Sequence, residues 1–222
     1  MTAKSALIVF VREPEDGKVK TRLARGLPIA AVTRLYKAFI RDVLDMARKV
    51  SCDERFIFYT HSGPAIPFLS EAAKGFQLQR QTGAGLGARM LNALEYGQDT
   101  GLGRMVIIGT DCLTLTAEDV ETAFRALGTH DCVLGPAKDG GYYLIAMNSP
   151  CPEMFQDVDW GTSSVLEQTR HNARVLNKKI FMLSEREDID RFSQLKNVFQ
   201  NIKDDAIAPH TQKTLRLMEV FL

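Results

Sequence analysis

Long apolar runs are missing from this 222-residue chain: its opening, MTAKSALIVFVREPEDG, is uninterrupted and apolar only over the six residues Ala6 to Val11. That is too short for a signal peptide or a membrane span. Cysteine is scarce, with four residues, Cys52, Cys112, Cys132 and Cys151, far apart in sequence. No C-x-x-C pair and no histidine at zinc-ligand spacing accompanies them, so buried free thiols in a reducing cytoplasm are expected. Charge of one sign is lacking too. Lys plus Arg number 28 against 27 Asp plus Glu, a net charge of +1, which provides no broad field for nucleic acid or anionic lipid. Repeats, low-complexity tracts and linkers are absent, so a single domain covering residues 1–222 is expected.

What is present is an ordinary globular composition, 45% hydrophobic and 25% charged, enough for a sizeable core. Ala6 to Val11 is β-branched and apolar on both faces, which predicts a central strand. From Pro28 to Val50 the apolar residues Ala31, Leu35, Ala38, Phe39, Val43 and Met46 recur at helical spacing, with Pro28 suited to the first turn. Further strands are predicted at Arg55 to Thr60, Gly75 to Gln79, Met105 to Ile108, Asp131 to Leu134, Tyr142 to Met147 and Ile180 to Leu183. Helices are predicted at Ile66 to Ala73, from Leu86, from Thr116 to Leu127, from Ser164 to Asn172 and in two closing segments. Thr116-x-x-Asp119 and Ser164-x-x-Glu167 read as capping boxes. Asp139-Gly140-Gly141 between two β runs predicts a hairpin or reversal, making the sheet mixed. Alternating strands and helices predict a three-layer α/β/α sandwich, Rossmann-like, with a mostly parallel mixed sheet and its ligand beyond the strands' carboxyl ends.

The loops at that edge carry the chemistry. FVREPEDGKVKTRL places Arg12, Lys18, Lys20 and Arg22 around Gly17 after the first strand, an anion site in outline. The alternative is a solvated loop balanced by Glu13, Glu15 and Asp16. MVIIGTDCL sets Asp111 just past another strand, where one carboxylate plus substrate oxygens would hold Mg²⁺ or Mn²⁺. The alternative there is a turn or capping residue. QTGAGLGARM brings three glycines into a helix start, allowing backbone amides to approach a base or phosphate. A flexible turn would read the same way. Asp139 is, on spacing alone, a favoured hairpin residue. The sole tryptophan, Trp160, is a hydrophobic plug or a sugar-stacking face. His61 ends the second strand and reads as an exposed loop residue.

FxRxPxxGKxKTRL, together with a following helix that carries a Leu-Tyr pair and Asp42, resembles the opening of a bacterial glycosyltransferase-like family. That family lies in the nucleotide-diphospho-sugar transferase superfamily and is related to the phospholactate guanylyltransferases. The likeness extends to about Thr169 through the motifs around Asp111, Gln81, Asp139 and Trp160. It implies a glycosyltransferase-A type fold, with Arg12, Lys20 and Arg22 on nucleotide phosphates and Asp111 on the metal. Gln81 and Gly85 would face the nucleobase, with Arg89 in the helix behind them. Asp139, before Gly140 and Gly141, would stand beside the transferred group as a second metal ligand. The segment Asp157, Asp159, Trp160, Gly161 and Thr162 resembles the family's acceptor-pocket element. The chain departs from the family at Gly85 (Asp in relatives), at Cys112 and Leu113 (Ser and Pro) and at Gly161 (Ser).

These residues imply metal-dependent glycosyl transfer from a nucleotide sugar to a small-molecule acceptor, with Asp139 or Asp159 as base. Nucleotidyl transfer from a nucleoside triphosphate to a phosphorylated small molecule uses the same residues. A silent nucleotide-binding module is the third reading.

Overall fold

The computed structural model describes residues 3–60, 67–202, 204 and 206–218. Seven strands form one sheet: β1 (Lys4–Arg12), β2 (Glu54–Thr60), β3 (Gln77–Arg80), β4 (Leu102–Ile108), β5 (Cys132–Pro136), β6 (Tyr142–Met147) and β7 (Ile180–Met182). Their order is β3-β2-β1-β4-β6-β5-β7. β1 lies parallel between β2 and β4, and β3 and β7 extend the sheet in parallel at its two edges. Only β6 is reversed, pairing antiparallel with both β4 and β5. Reversal puts the amino end of β6 at the same edge as the carboxyl ends of the other strands. The Asp139 turn and the Asp111 loop therefore share one edge.

Period-two alternation splits the strands between two cores. Leu7, Val9, Val11, Val106 and Ile108 pack on one face, and Ala6, Ile8, Met105 and Ile107 on the other. Helices α1 (Ile29–Lys49), α2 (Pro67–Ala72), α4 (Ala117–Ala126), α6 (Phe192–Asn201) and α7 (Pro209–Leu217) cover the first face. Helices α3 (Leu86–Asp99) and α5 (Val165–Val175) cover the second. The arrangement is the three-layer α/β fold that the alternation predicts. Each fully buried aliphatic side chain, such as Leu7 or Ile8, contributes about 1.5–3 kcal/mol.

Two details depart from the sequence reading. Thr116 and Asp119 do form a capping box at α4, but Ser164 makes no capping hydrogen bond at α5. Its backbone is itself near-helical, φ −91°, ψ −9°, whereas a capping residue sits in extended conformation. Glu167 is bound instead by Arg170 and Arg174. The third strand begins later than expected, because Gly75 takes a left-handed turn, φ +84°, before Gln77. His61 and Ile66 lie outside the described residues. No helix among those described is long and apolar enough to cross a membrane.

Candidate active site at the carboxyl edge of the sheet

Helix α1 ties the ends of β1 and β4 together. The Tyr36 hydroxyl accepts from the Arg12 backbone N–H at 3.1 Å and lies 3.1 Å from Thr110 Oγ1. Thr110 in turn points its hydroxyl at Asp111 Oδ1, 3.4 Å away. Burial, with Asp111 nearby, pushes the Tyr36 phenol up to about 12, so it is a neutral hydrogen-bonding group at physiological pH.

After β1 the chain turns back, and Lys20 adopts a left-handed backbone, φ +47°. That conformation costs a residue with a side chain on the order of 1–3 kcal/mol and persists where surrounding structure enforces it. What it achieves is an ammonium 2.7 Å from Asp111 Oδ2 and 2.7 Å from Asp190 Oδ1, with the side chain only 6% exposed. Burial opposes the charge on Lys20, but the two carboxylates outweigh it and raise its pKa well above the usual lysine range. Burial alone would raise the Asp190 carboxyl; Lys20 reverses that and holds it below its ordinary value. Arg22 reaches Asp190 more loosely, at 3.4 Å.

Asp188 and Asp190 flank Ile189, which is fully buried and donates its N–H to the Asp111 carbonyl at 2.9 Å. This anchor lays the segment after β7 against the β4 loop. Asp188 is half-buried, and its Oδ1, which is buried, has no hydrogen-bond partner among the described residues. Burial, then repulsion from Asp111, pushes its carboxyl up to about 7, with Asp139 and Asp190 adding to the shift and Lys20 opposing it. Asp139 Oδ1 accepts from the Gly141 N–H at 2.9 Å, which fixes the turn. Gly140 is required there: at φ +89°, a Cβ would come within 2.1 Å of the Ser163 carbonyl oxygen.

Two cavities of about 450 Å³ each open on this edge. Arg12, Lys20, Arg22, Tyr36, Gln81 and Arg89 line the first. Asp139, Gly141, Tyr142, Tyr143, Trp160 and Asp188 line the second. Asp111, Asp190 and Arg22 belong to both. Gln81 is oriented by its own amide, whose Nε2 donates to the Phe58 carbonyl at 2.7 Å. Its oxygen is thereby the group left to accept from a ligand. Trp160 stacks on Phe155 with ring centroids 6.2 Å apart and meets the Tyr142 edge at 6.4 Å. A Cβ at Gly87 of α3 would come within 2.5 Å of the indole, so Gly87 is what admits the ring.

Several residues singled out in the sequence stand aside from these cavities. Lys18 is exposed and paired with Glu15, and Gly17 supplies the left-handed turn, φ +74°, that precedes it. Gly85 is the residue before α3, and Gly140 is a packing position behind Asp139. Asp159 does not line either cavity; its Oδ2 accepts from Gln168 Nε2 at 2.7 Å. Asp188 and Asp190 went unread in the sequence, and Tyr36 entered only as half of the Leu-Tyr pair, with no role in the site. The Asp-Ile-Asp spacing around an apolar residue was the available signal for the first two.

The chemistry of this donor set fits a hard divalent cation. Asp111, Asp139, Asp188 and Asp190 all line the second cavity, Lys20 and Arg22 pair with Asp111 and Asp190, and one buried oxygen of Asp188 has no partner among the described residues. Among the described residues, however, no three acidic, histidine or cysteine groups are arranged to hold an ion, and Lys20 lies between two of the acids.

Comparison with known proteins agrees with the fold. A protein from Desulfovibrio desulfuricans G20, assigned by its name to the nucleotide-diphospho-sugar transferases, has the same fold with a TM-score of 0.91 and 30% identity, over 98% of this chain and 96% of its own. The phosphoenolpyruvate guanylyltransferase of Chloroflexus aggregans is 30% identical over 61% of this chain and 69% of its own length. Glucosyl-3-phosphoglycerate synthase from Mycobacterium tuberculosis, solved with Mn²⁺, UDP and glucosyl-3-phosphoglycerate, shares the fold alone, with a TM-score of 0.54 and 12% identity over 96% of this chain and 78% of its own. A family described as "Uncharacterized protein conserved in bacteria (DUF2064)" matches residues 43–162, more than half the chain. The chain thus belongs to the DUF2064 family and has the nucleotide-diphospho-sugar transferase fold.

Proposed function

We propose that the protein is a metal-assisted glycosyltransferase that holds a nucleotide sugar across the two cavities. The observation that carries the reading is their meeting at Asp111 and Asp190. The nucleotide would lie in the first cavity, its base beside the Gln81 oxygen and its phosphates among Arg12, Arg22 and Arg89. The sugar and acceptor would occupy the second, beside Trp160 and Tyr142. Asp111, Asp188 and Asp190, with Asp139 at the rim, would hold Mg²⁺ or Mn²⁺, which when bound supplies charge neutralisation of the diphosphate. The acceptor hydroxyl oxygen attacks the anomeric carbon, and the bond from that carbon to the diphosphate oxygen breaks with its electron pair leaving on the diphosphate. Asp139 takes the hydroxyl proton. Its lateral hydrogen bond from Gly141 holds it at the cavity wall for that purpose.

Nucleotidyl transfer is the second reading, supported by the guanylyltransferase relative. There a phosphate acceptor in the second cavity attacks the α-phosphate of a nucleoside triphosphate, and pyrophosphate leaves. Incubation with Mn²⁺ and pooled nucleotide sugars or nucleoside triphosphates separates the two. Free nucleoside diphosphate marks the first, acceptor-dependent pyrophosphate marks the second, and binding without any turnover rejects both. Asp111→Asn is expected to abolish metal-dependent nucleotide binding in titration calorimetry; an unchanged affinity counts against the assignment of Asp111.

A further inference from the structure

Lys20 is held in a way that a phosphate ligand is not. Its ammonium makes two charge-assisted contacts of 2.7 Å to Asp111 and Asp190, and its side chain is almost wholly buried between them. Its left-handed backbone, φ +47°, directs it there. Arg22, the other cation shared with Asp190, is 57% exposed and stands 3.4 Å away, so it cannot replace that neutralisation. A divalent cation entering among these acids would compete with the ammonium for the same carboxylate oxygens. Lys20 also lines the first cavity beside Arg12, Arg22 and Arg89. Phosphates arriving there offer the ammonium an alternative anionic partner.

We propose that Lys20 is a resident counter-cation that keeps the acid cluster closed to a divalent metal until a nucleotide's phosphates draw the ammonium away. The inference rests on the metal-assisted reading above and adds an order to it: nucleotide and metal bind cooperatively, each admitting the other through Lys20. Two observations support it together. The acids converge, yet among the described residues no three are arranged to hold an ion, and the group standing between two of them is Lys20. Linkage then requires reciprocity. The factor by which nucleotide tightens metal binding must equal the factor by which metal tightens nucleotide binding, typically about 5- to 150-fold.

The test uses the full chain and Mn²⁺ itself, followed by electron paramagnetic resonance of free Mn²⁺, with UDP and GDP in separate titrations and correction for Mn²⁺ bound by free diphosphate. Wild type should bind Mn²⁺ weakly alone and about tenfold or more tightly with a diphosphate present. Lys20→Met, similar in length and neutral, should bind Mn²⁺ alone about tenfold or more tightly than wild type, and the diphosphate should then add little. Lys20→Arg, which keeps the charge, should resemble wild type. A Lys20→Met protein that binds Mn²⁺ no more tightly than wild type overturns the proposal, as does a diphosphate effect that survives undiminished in it. Should Lys20→Met unfold, equal Mn²⁺ affinity of wild type with and without diphosphate overturns it on its own. If neither diphosphate binds under any condition, the nucleotide reading fails, and the nucleotide-free comparison of wild type with Lys20→Met still decides whether Lys20 excludes the metal.

Discussion

Two carboxylates, the buried Asp42 and the half-buried Asp188, have been withdrawn from water with opposite outcomes. Asp42 on α1 receives the His210 N–H at 2.8 Å, the Thr211 N–H at 2.8 Å and the Thr211 hydroxyl at 2.5 Å. It thereby caps α7, an element 168 residues away in sequence. Asp188 keeps one oxygen with no partner among the described residues and stands among three other acids. Burial raises the pKa of both, but at Asp42 the Thr211 and His210 donors oppose the shift. A satisfied buried acid fastens two elements together. An unsatisfied one lowers stability and is characteristic of functional sites.

The largest effect on stability should come from Asp42→Ala. It strips the acceptor from two backbone donors and a hydroxyl at the start of α7, a loss of about 2–4 kcal/mol. For a chain of this size that lowers Tm by about 4–16 °C, measurable by scanning calorimetry. A Tm unchanged within about 2 °C would show that α7 is held by its apolar contacts alone, and the contrast with Asp188 would lose one side.

Asp188→Asn should move stability the other way. The carboxyl titrates at about 7 in the folded chain, above its ordinary value when unfolded. Between those two values the folded state binds more protons than the unfolded state, so stability falls as pH rises through that window and remains lower above it. Asparagine removes the titration. The Tm of Asp188→Asn should exceed that of wild type by an amount that grows from pH 5 to pH 8, reaching about 2–6 °C, while transferase turnover drops. A difference independent of pH would mean that Asp188 is already ionised at no expense, with a cation or water supplying what its free oxygen lacks.

The same contrast explains what could be read from the sequence. The α/β alternation, the central first strand, the basic loop, Asp111 and the Asp139 turn are local: each is announced by residues within a few positions of itself. Asp188 and Asp190 follow a strand of three residues, Ile180–Met182, in a segment, SEREDIDR, that reads as solvated charge. The edge position of β7 beside β5, the Arg186 N–H on the Pro136 carbonyl and the Ile189 N–H on the Asp111 carbonyl carry them back to the site. Lys20 and Asp190, 170 residues apart, become partners through that route. Spacing alone does not report such a return. The Ser164 capping box failed for the opposite reason, since the motif is present but its first residue is already helical.

Asp159→Asn should have the smallest effect, and it sharpens the comparison by adding an acid that is neither buried nor part of the cluster. Its place beside Trp160, in the segment that resembles the family's acceptor-pocket element, made it a second candidate base in the sequence. In the fold its carboxylate Oδ2 accepts from Gln168 Nε2 at 2.7 Å, while its backbone N–H donates to Gln168 Oε1 at 2.8 Å. Asparagine preserves both bonds, because its side-chain oxygen still accepts from the glutamine amide. Turnover should remain within about twofold of wild type and stability within about 0.5 kcal/mol, as for a surface substitution. Asp139→Asn, assayed beside it, should lose about 100-fold or more, in the range of a removed general base. If instead Asp159→Asn lost activity and Asp139→Asn kept it, the proton would leave through the Trp160 loop, and the acceptor would enter the second cavity from the side opposite to Asp139.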